Sequence, residues 1–315
     1  MNATVYAQVL ARLTAQQLVL LDAGTGTELE RLGAQMHDKA WCAMANASAP
    51  DIVREVHSNY IRAGAKIITT NTFSTNRNML EPAGLGERFS ELNANAVRLA
   101  LEARELSDAG NCVLVAGSMS HQGPVMGRGD RRNPEALPSV ALASERFEEM
   151  AQTLAAGGVD FILMEMMSDP AFANPAIAAA RRTGLPVWVG FSVRADDDHK
   201  PVSHSLPGCS AEAMIAAVDL SGVDVVGIMH SPSHVTAAAI DALATHWEGP
   251  ISVYPDSGYF KMPNWQFENI IEPTDFAAHC RSWYNQGARA IGGCCGLGHE
   301  HIVALAREFQ AELRA

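Results

Sequence analysis

Two periodicities alternate along the chain. Short apolar runs recur at 18–24 (LVLLDAG), 65–73 (AKIITTNTF), 112–118 (CVLVAGS), 159–165 (VDFILME), 186–192 (PVWVGFS), 223–229 (VDVVGIM), 250–258 (PISVYPDSG) and 288–296 (ARAIGGCCG). They are apolar at odd and even positions alike, as strands buried on both faces should be. Between them the apolar residues return at helical spacing. In 51–64 they are Ile52, Val53, Val56, Tyr60 and Ile61, and 91–106 and 274–287 behave similarly. Gly64, Gly158, Gly222 and Gly287 stand ahead of strands, where a glycine closes a helix. Eight such strand–helix units predict one α/β domain over 1–315, a (β/α)8 barrel of the TIM type. An open doubly wound sheet would favour G-x-G-x-x-G after the first strand. The segment DAGTGTELE has Gly24 and Gly26 but lacks the third glycine.

Composition narrows the class of partner. The chain has 315 residues, 48% of them hydrophobic, which is enough for a large core. Its formal charge is −12 with no basic block, so nucleic acid and anionic membrane surfaces are poor partners. The N-terminus lacks a basic segment followed by an apolar one. No apolar run reaches the roughly 18 to 20 residues that span a bilayer. The six cysteines show no disulfide framework. These features predict a cytoplasmic protein with reduced thiols, acting on small molecules.

A barrel gathers the C-terminal ends of its strands at one mouth. Polar residues at those ends are Asp22, Asn71, Thr72, Ser118, Glu165, His230, Asp256, Cys294 and Cys295. The long segments 121–139 and 193–210 follow the third and fifth strands and are placed to cover a pocket on that rim.

Cys294 and Cys295 lie among Gly292, Gly293 and Gly296. A cysteine pair can simply be packed as two small hydrophobes. The glycines instead favour a sharp turn against something close, and two thiolates at a barrel mouth make half of a zinc site. His230 is the leading third ligand. Cys209 competes with it, His204, His199 and His121 are weaker, and Pro232 argues against alignment of His230 with His234 on one helix. Glu165, among methionines, is costly to bury alone. It should pair either with a barrel arginine or with a substrate ammonium group, and Asp22 has the same two readings. Of the aromatics Trp41, Phe73, Trp188, Tyr259 and Trp265, one or two near the mouth could hold an onium cation.

These segments resemble the homocysteine S-methyltransferase family over nearly the whole chain. The matching stretches are 21–33 (LDAGTGTELERLG), 56–73 (VHSNYIRAGAKIITTNTF), 115–123 (VAGSMSHQG), 157–167 (GGVDFILMEMM), 254–260 (YPDSGYF) and above all 287–302 (GARAIGGCCGLGHEHI). The resemblance implies a single barrel with Zn2+ at its mouth, held by Cys294 and Cys295. It implies that Glu165 meets the amino group of an amino-acid acceptor and that Asp22 and Gly24 sit beside the substrate. The expected reaction moves a methyl group from a sulfonium or quaternary ammonium donor to a thiol acceptor such as homocysteine. In the family the third ligand is a cysteine after the sixth strand; here that position is His230. Two thiolates and a neutral imidazole leave Zn2+ with no net charge, where three thiolates leave −1. The change points to an altered acceptor, or to hydrolase or lyase chemistry, as the alternatives.

Overall fold

Val19 pairs with Ala290 and Leu20 with Ile291, so the first strand of the chain lies against the last. This computed structural model describes residues 2–109, 112–127, 129 and 131–314. The strands are β1 (Val19–Leu20), β2 (Ile67–Thr69), β3 (Leu114–Ser120), β4 (Phe161–Met167), β5 (Val187–Phe191), β6 (Val225–Pro232), β7 (Ile251–Asp256) and β8 (Ala288–Ile291). Each pairs in parallel with its neighbours in chain order. A parallel bridge between Leu21 and Ile67 joins β1 to β2 and closes the barrel. Each of the eight expected runs coincides with one of these strands, although β3, β4 and β6 continue two or three residues past the C-terminal ends of their runs.

Two apolar layers follow from strands buried on both faces. Inside the barrel, Leu114, Ala116, Phe161, Leu163, Trp188 and Val225 pack together. The helix Ala3–Thr14 adds Tyr6, Val9 and Leu13 to this inner cluster. The Trp188 indole donates to the Tyr6 hydroxyl at 2.9 Å, and Tyr6 donates to Asp224, just before β6, at 2.6 Å. Trp188 therefore belongs to the N-terminal end of the barrel, not to its mouth. Outside, helices such as Pro50–Ala63, Phe89–Glu105 and Pro273–Asn285 cover the other strand faces. Gly64 and Gly158 end their helices in the left-handed conformation. Gly222 does not cap one, because the preceding helix stops at Ala216.

Of the two long rim segments, 121–139 is pinned by a buried ion pair of 2.7 Å between Arg132 and Asp169. The segment 193–210 folds into a hairpin, Val193–Ala195 against Pro201–Ser203. A second hairpin, Tyr259–Lys261 against Asn264–Gln266, follows β7. No helix among the described residues is long and apolar enough to cross a membrane.

Candidate active site

Two strands break register at the mouth and so aim their last side chains. Between β4 and β5 the pairing runs from Met164–Val189 to Met167–Phe191, and Met166 in the gap has φ +58°. Between β6 and β7 it runs from Met229–Tyr254 to Pro232–Asp256, and His230 in the gap has φ +43°. Left-handed backbone at a bulky residue is held only where the surroundings enforce it, and such residues concentrate at functional sites. The two irregular segments touch: the Met166 N–H donates to Met229 Sδ at 2.8 Å.

Glu165, Met166, Met229 and His230 line one concave cleft at the mouth, the setting in which small-molecule sites are found. Asp22, Gly24, Asn71, Ser118, Cys294 and Cys295 line it too. Of the ten residues expected at substrate or metal, the barrel has thus brought eight to the cleft, with Trp41, Phe73 and Trp265 beside them. Thr72 and Asp256 stand outside that lining. The Thr72 hydroxyl donates to the Ser118 carbonyl at 2.7 Å behind the wall. Asp256 lies 3.8 Å from His230 Nδ1. Asn71 is at the wall, but its amide is spent on Cys42 and Asn46.

His230, Cys294 and Cys295 present ligand atoms within 4.8 Å of one another. Cys294 Sγ is 3.7 Å from His230 Nδ1 and 4.0 Å from Cys295 Sγ. Tetrahedral zinc with ordinary bond lengths sets its ligand atoms about 3.5 Å (S to N) and about 3.8 Å (S to S) apart. The two separations at Cys294 come within a few tenths of an ångström of those values, and the third pair, His230 and Cys295, lies within 4.8 Å and closes onto an ion by a small side-chain movement. The hydrogen bond from Cys295 and the His230 imidazole hold the Cys294 thiol well below its usual range, while the same bond and burial push Cys295 up. A bound cation would hold both sulfurs as thiolates and release their protons.

The competing ligands lie elsewhere. Cys209 is half-buried beside the Ser210 carbonyl, and His199 and His234 are exposed. His121 accepts the Ser168 N–H at 2.9 Å, and burial holds its pKa far down. The His204 ring is buried, with its centroid 5.8 Å from that of His230.

Two carboxyls share the cleft. Burial raises Glu165 to about 8, the Cys294 charge adds to this, and the Ser118 hydroxyl opposes it. Burial raises Asp22 to about 7, against hydrogen bonds of 2.6 and 3.0 Å from the Thr69 N–H and hydroxyl. Among the described residues no arginine or lysine pairs with Glu165, so the barrel salt bridge considered for it is absent.

One wall is a run of rings. Ring centroids are 6.5 Å apart for Phe73 and Trp41, 5.5 Å for Trp41 and Phe260, and 6.3 Å for Phe260 and Trp265. Trp265 is then 6.4 Å from His230. Tyr259 points away and is 47% exposed. Phe260, Met262 and Trp265 come from the hairpin after β7, which the strand-by-strand reading passed over. Its sequence signal was the Pro263-Asn264 turn between two short runs that each carry aromatic residues, Tyr259 and Phe260 before it and Trp265 and Phe267 after it. The segment 121–139 contributes Gln122 and Val125 to the cleft, whereas 193–210 contributes no lining residue.

A closed (β/α)8 barrel with an imidazole, two thiols and two buried carboxyls converging at its mouth is an enzyme architecture. The model of the homocysteine S-methyltransferase family matches residues 19–309, and the chain belongs to that family of methyltransferases. It is 30% identical over 305 residues to homocysteine S-methyltransferase of Escherichia coli K12, covering 94% of this chain and 96% of the relative. It is 28% identical over 318 residues to betaine–homocysteine S-methyltransferase 1 of Danio rerio, covering 96% and 76%. In structure it is similar to the metallated form of an Escherichia coli homocysteine methyltransferase, with TM-score 0.72, 26% identity and coverage of 97% and 99%.

Proposed function

We propose that this methyltransferase moves a methyl group from a sulfonium or quaternary ammonium donor to a thiol acceptor of the homocysteine type. The reading places zinc on His230, Cys294 and Cys295. The observation that carries it is the convergence of those three ligand atoms within 4.8 Å in the same cleft as Glu165 and Asp22.

Each element of the cleft has a task. Glu165 and Asp22 receive the acceptor's ammonium group, whose charge draws the two raised carboxyls into their ionised forms. This fixes the acceptor with its sulfur toward Cys294. Bound there, zinc would supply a Lewis acid that holds the acceptor sulfur as thiolate at neutral pH. The rings of Trp41, Phe260 and Trp265 face the donor's positive centre. The new S–CH3 bond forms as the donor's S–CH3 or N–CH3 bond breaks, and that electron pair stays on the donor, which leaves neutral. No proton moves in the transfer, so alignment of two bound molecules supplies much of the rate. The chain's uncommon ligand, His230, removes one negative charge from the metal's surroundings relative to three thiolates, and so tunes how nucleophilic the acceptor sulfur remains.

The test is a matrix of purified enzyme with several thiol acceptors and several onium donors, with zinc measured on the same sample. Methyl transfer to homocysteine by protein holding about one zinc per chain is the expected result. Full transfer by metal-free protein would remove the zinc from the mechanism. Transfer to another thiol only would move the acceptor class.

A further inference from the structure

Cys294 and Cys295 are sequence neighbours, and neighbouring side chains on extended backbone point to opposite sides. Their sulfurs are nevertheless 4.0 Å apart. The peptide that carries them must be held bent by contacts from outside the turn.

Backbone bonds hold the approach to the turn, the Gly293 N–H to the Asp22 carbonyl at 3.0 Å and the Cys294 N–H to the Pro255 carbonyl at 2.8 Å, and side-chain contacts hold the next residue, Gly296. Its N–H donates to Thr27 Oγ1 at 3.1 Å. Its carbonyl accepts from Arg31 Nη2 at 2.7 Å. Thr27 and Arg31 are one turn apart on the helix Thr25–Arg31, so a single helix face grips both polar groups of one residue. Both gripping groups are themselves held. The fully buried Thr27 hydroxyl donates onward to the Gly24 carbonyl at 3.1 Å. Arg31 Nη1 bonds Glu28 at 3.2 Å and Glu300 at 3.3 Å. On the remaining side the Ser257 N–H donates to the Cys295 carbonyl at 2.9 Å. A Cβ on Gly296, where φ is +81°, would stand 1.8 Å from the Ser257 carbonyl oxygen.

We infer that Thr27 and Arg31 are positioning residues for the metal centre. By clamping Gly296 they keep the Cys294–Cys295 turn in its ligating shape before any ion arrives. The inference rests on the zinc reading above, and it assigns work to residues that touch neither substrate nor metal. Glu28, His299 and Glu300 also converge nearby, but the Arg31 guanidinium bonds both carboxylates. The cluster therefore serves as the ion-pair seat of the clamp.

The test compares full-length wild type, Thr27→Val, Thr27→Ser and Arg31→Met. Zinc affinity is read by chelator competition, and the sulfur-to-metal charge-transfer band is read in cobalt-loaded protein. The exchange rate of the Gly296 amide is read by NMR in metal-free protein. Thr27→Val and Arg31→Met should weaken zinc about 10- to 100-fold, the range expected when groups that orient metal ligands are lost. They should also alter the cobalt band and speed Gly296 exchange. Thr27→Ser, which keeps the oxygen, should match wild type in all three. If Arg31→Met does not fold, Arg31→Lys keeps the charge near Glu28 while losing the fork, and the same weakening is expected. Variants that bind zinc within twofold of wild type overturn the clamp, as does a Thr27→Ser as weak as Thr27→Val. Wild type that binds no zinc overturns the metal centre instead. In that case Gly296 exchange in the metal-free series still decides the clamp, with unchanged rates refuting it.

Discussion

Cys294 Sγ stands 3.7 Å from His230 Nδ1 across the barrel mouth, although the two residues are 64 positions apart in the chain. That distance makes His230 the ligand to test first. His230→Ala should drop bound zinc well below one per chain, measured by metal analysis after dialysis against a mild chelator. Retention of the full amount would transfer the third ligand to another group.

His230→Cys should keep zinc and return the ligand set to three thiolates, one charge more negative. The acceptor sulfur then stays more nucleophilic at the metal. The rate of homocysteine methylation should rise relative to wild type at saturating donor. An unchanged rate would mean that acceptor choice does not run through this ligand.

On the proposed function, Glu165 receives the acceptor ammonium. Glu165→Gln keeps size and removes charge. A hydrogen bond to a charged group is worth about 1.5–3 kcal/mol, so the acceptor KM should rise roughly 10- to 100-fold. Zinc content should not change. A KM within twofold of wild type would take Glu165 out of acceptor binding.

The aromatic wall makes a separate prediction for the donor. Phe260→Leu removes a ring and little volume. Donor KM should rise roughly 2- to 30-fold, the range of a cation–π contact of about 0.5–2 kcal/mol. Acceptor KM should hold. Equal effects on donor and acceptor would assign the hairpin a general packing role.

Stability should fall in acid through His57. This residue is fully buried, neither ring nitrogen has a hydrogen-bond partner among the described residues, and burial lowers its pKa to about 4. Between pH 6.5 and about 4 the unfolded chain takes up a proton that the folded one refuses, so unfolding becomes easier as pH drops across that window. The loss approaches about 3 kcal/mol at the lower end. His57→Leu should flatten that part of the stability–pH curve in denaturant titrations. An unaltered slope would assign the acid sensitivity to other groups.

How much of this was legible in the sequence follows from where the forces act. The eight apolar runs, β1 to β8, were readable because a strand covered on both faces needs apolar residues at every position, and that need is written locally. Closure of the barrel put Asp22, Ser118, Glu165, His230, Cys294 and Cys295 at one mouth, as the strand-end rule implied. The sequence also carried the family resemblance, densest around Cys294 and Cys295. Other features depended on contacts between distant segments. Trp188 looked equivalent to Trp265, yet the partner Tyr6 draws it to the far end of the barrel while the hairpin sets Trp265 beside His230. Thr72 and Asp256 occupy strand ends like their neighbours but lie outside the cleft lining, because register and backbone direction at each end decide which side chains face inward. His230 led Cys209 and His204 as third ligand because it ends a strand, but no spacing in the chain fixed its distance from the cysteines. The break in register between β6 and β7 put the His230 imidazole 3.7 Å from Cys294, and no local pattern encodes a distance across a barrel.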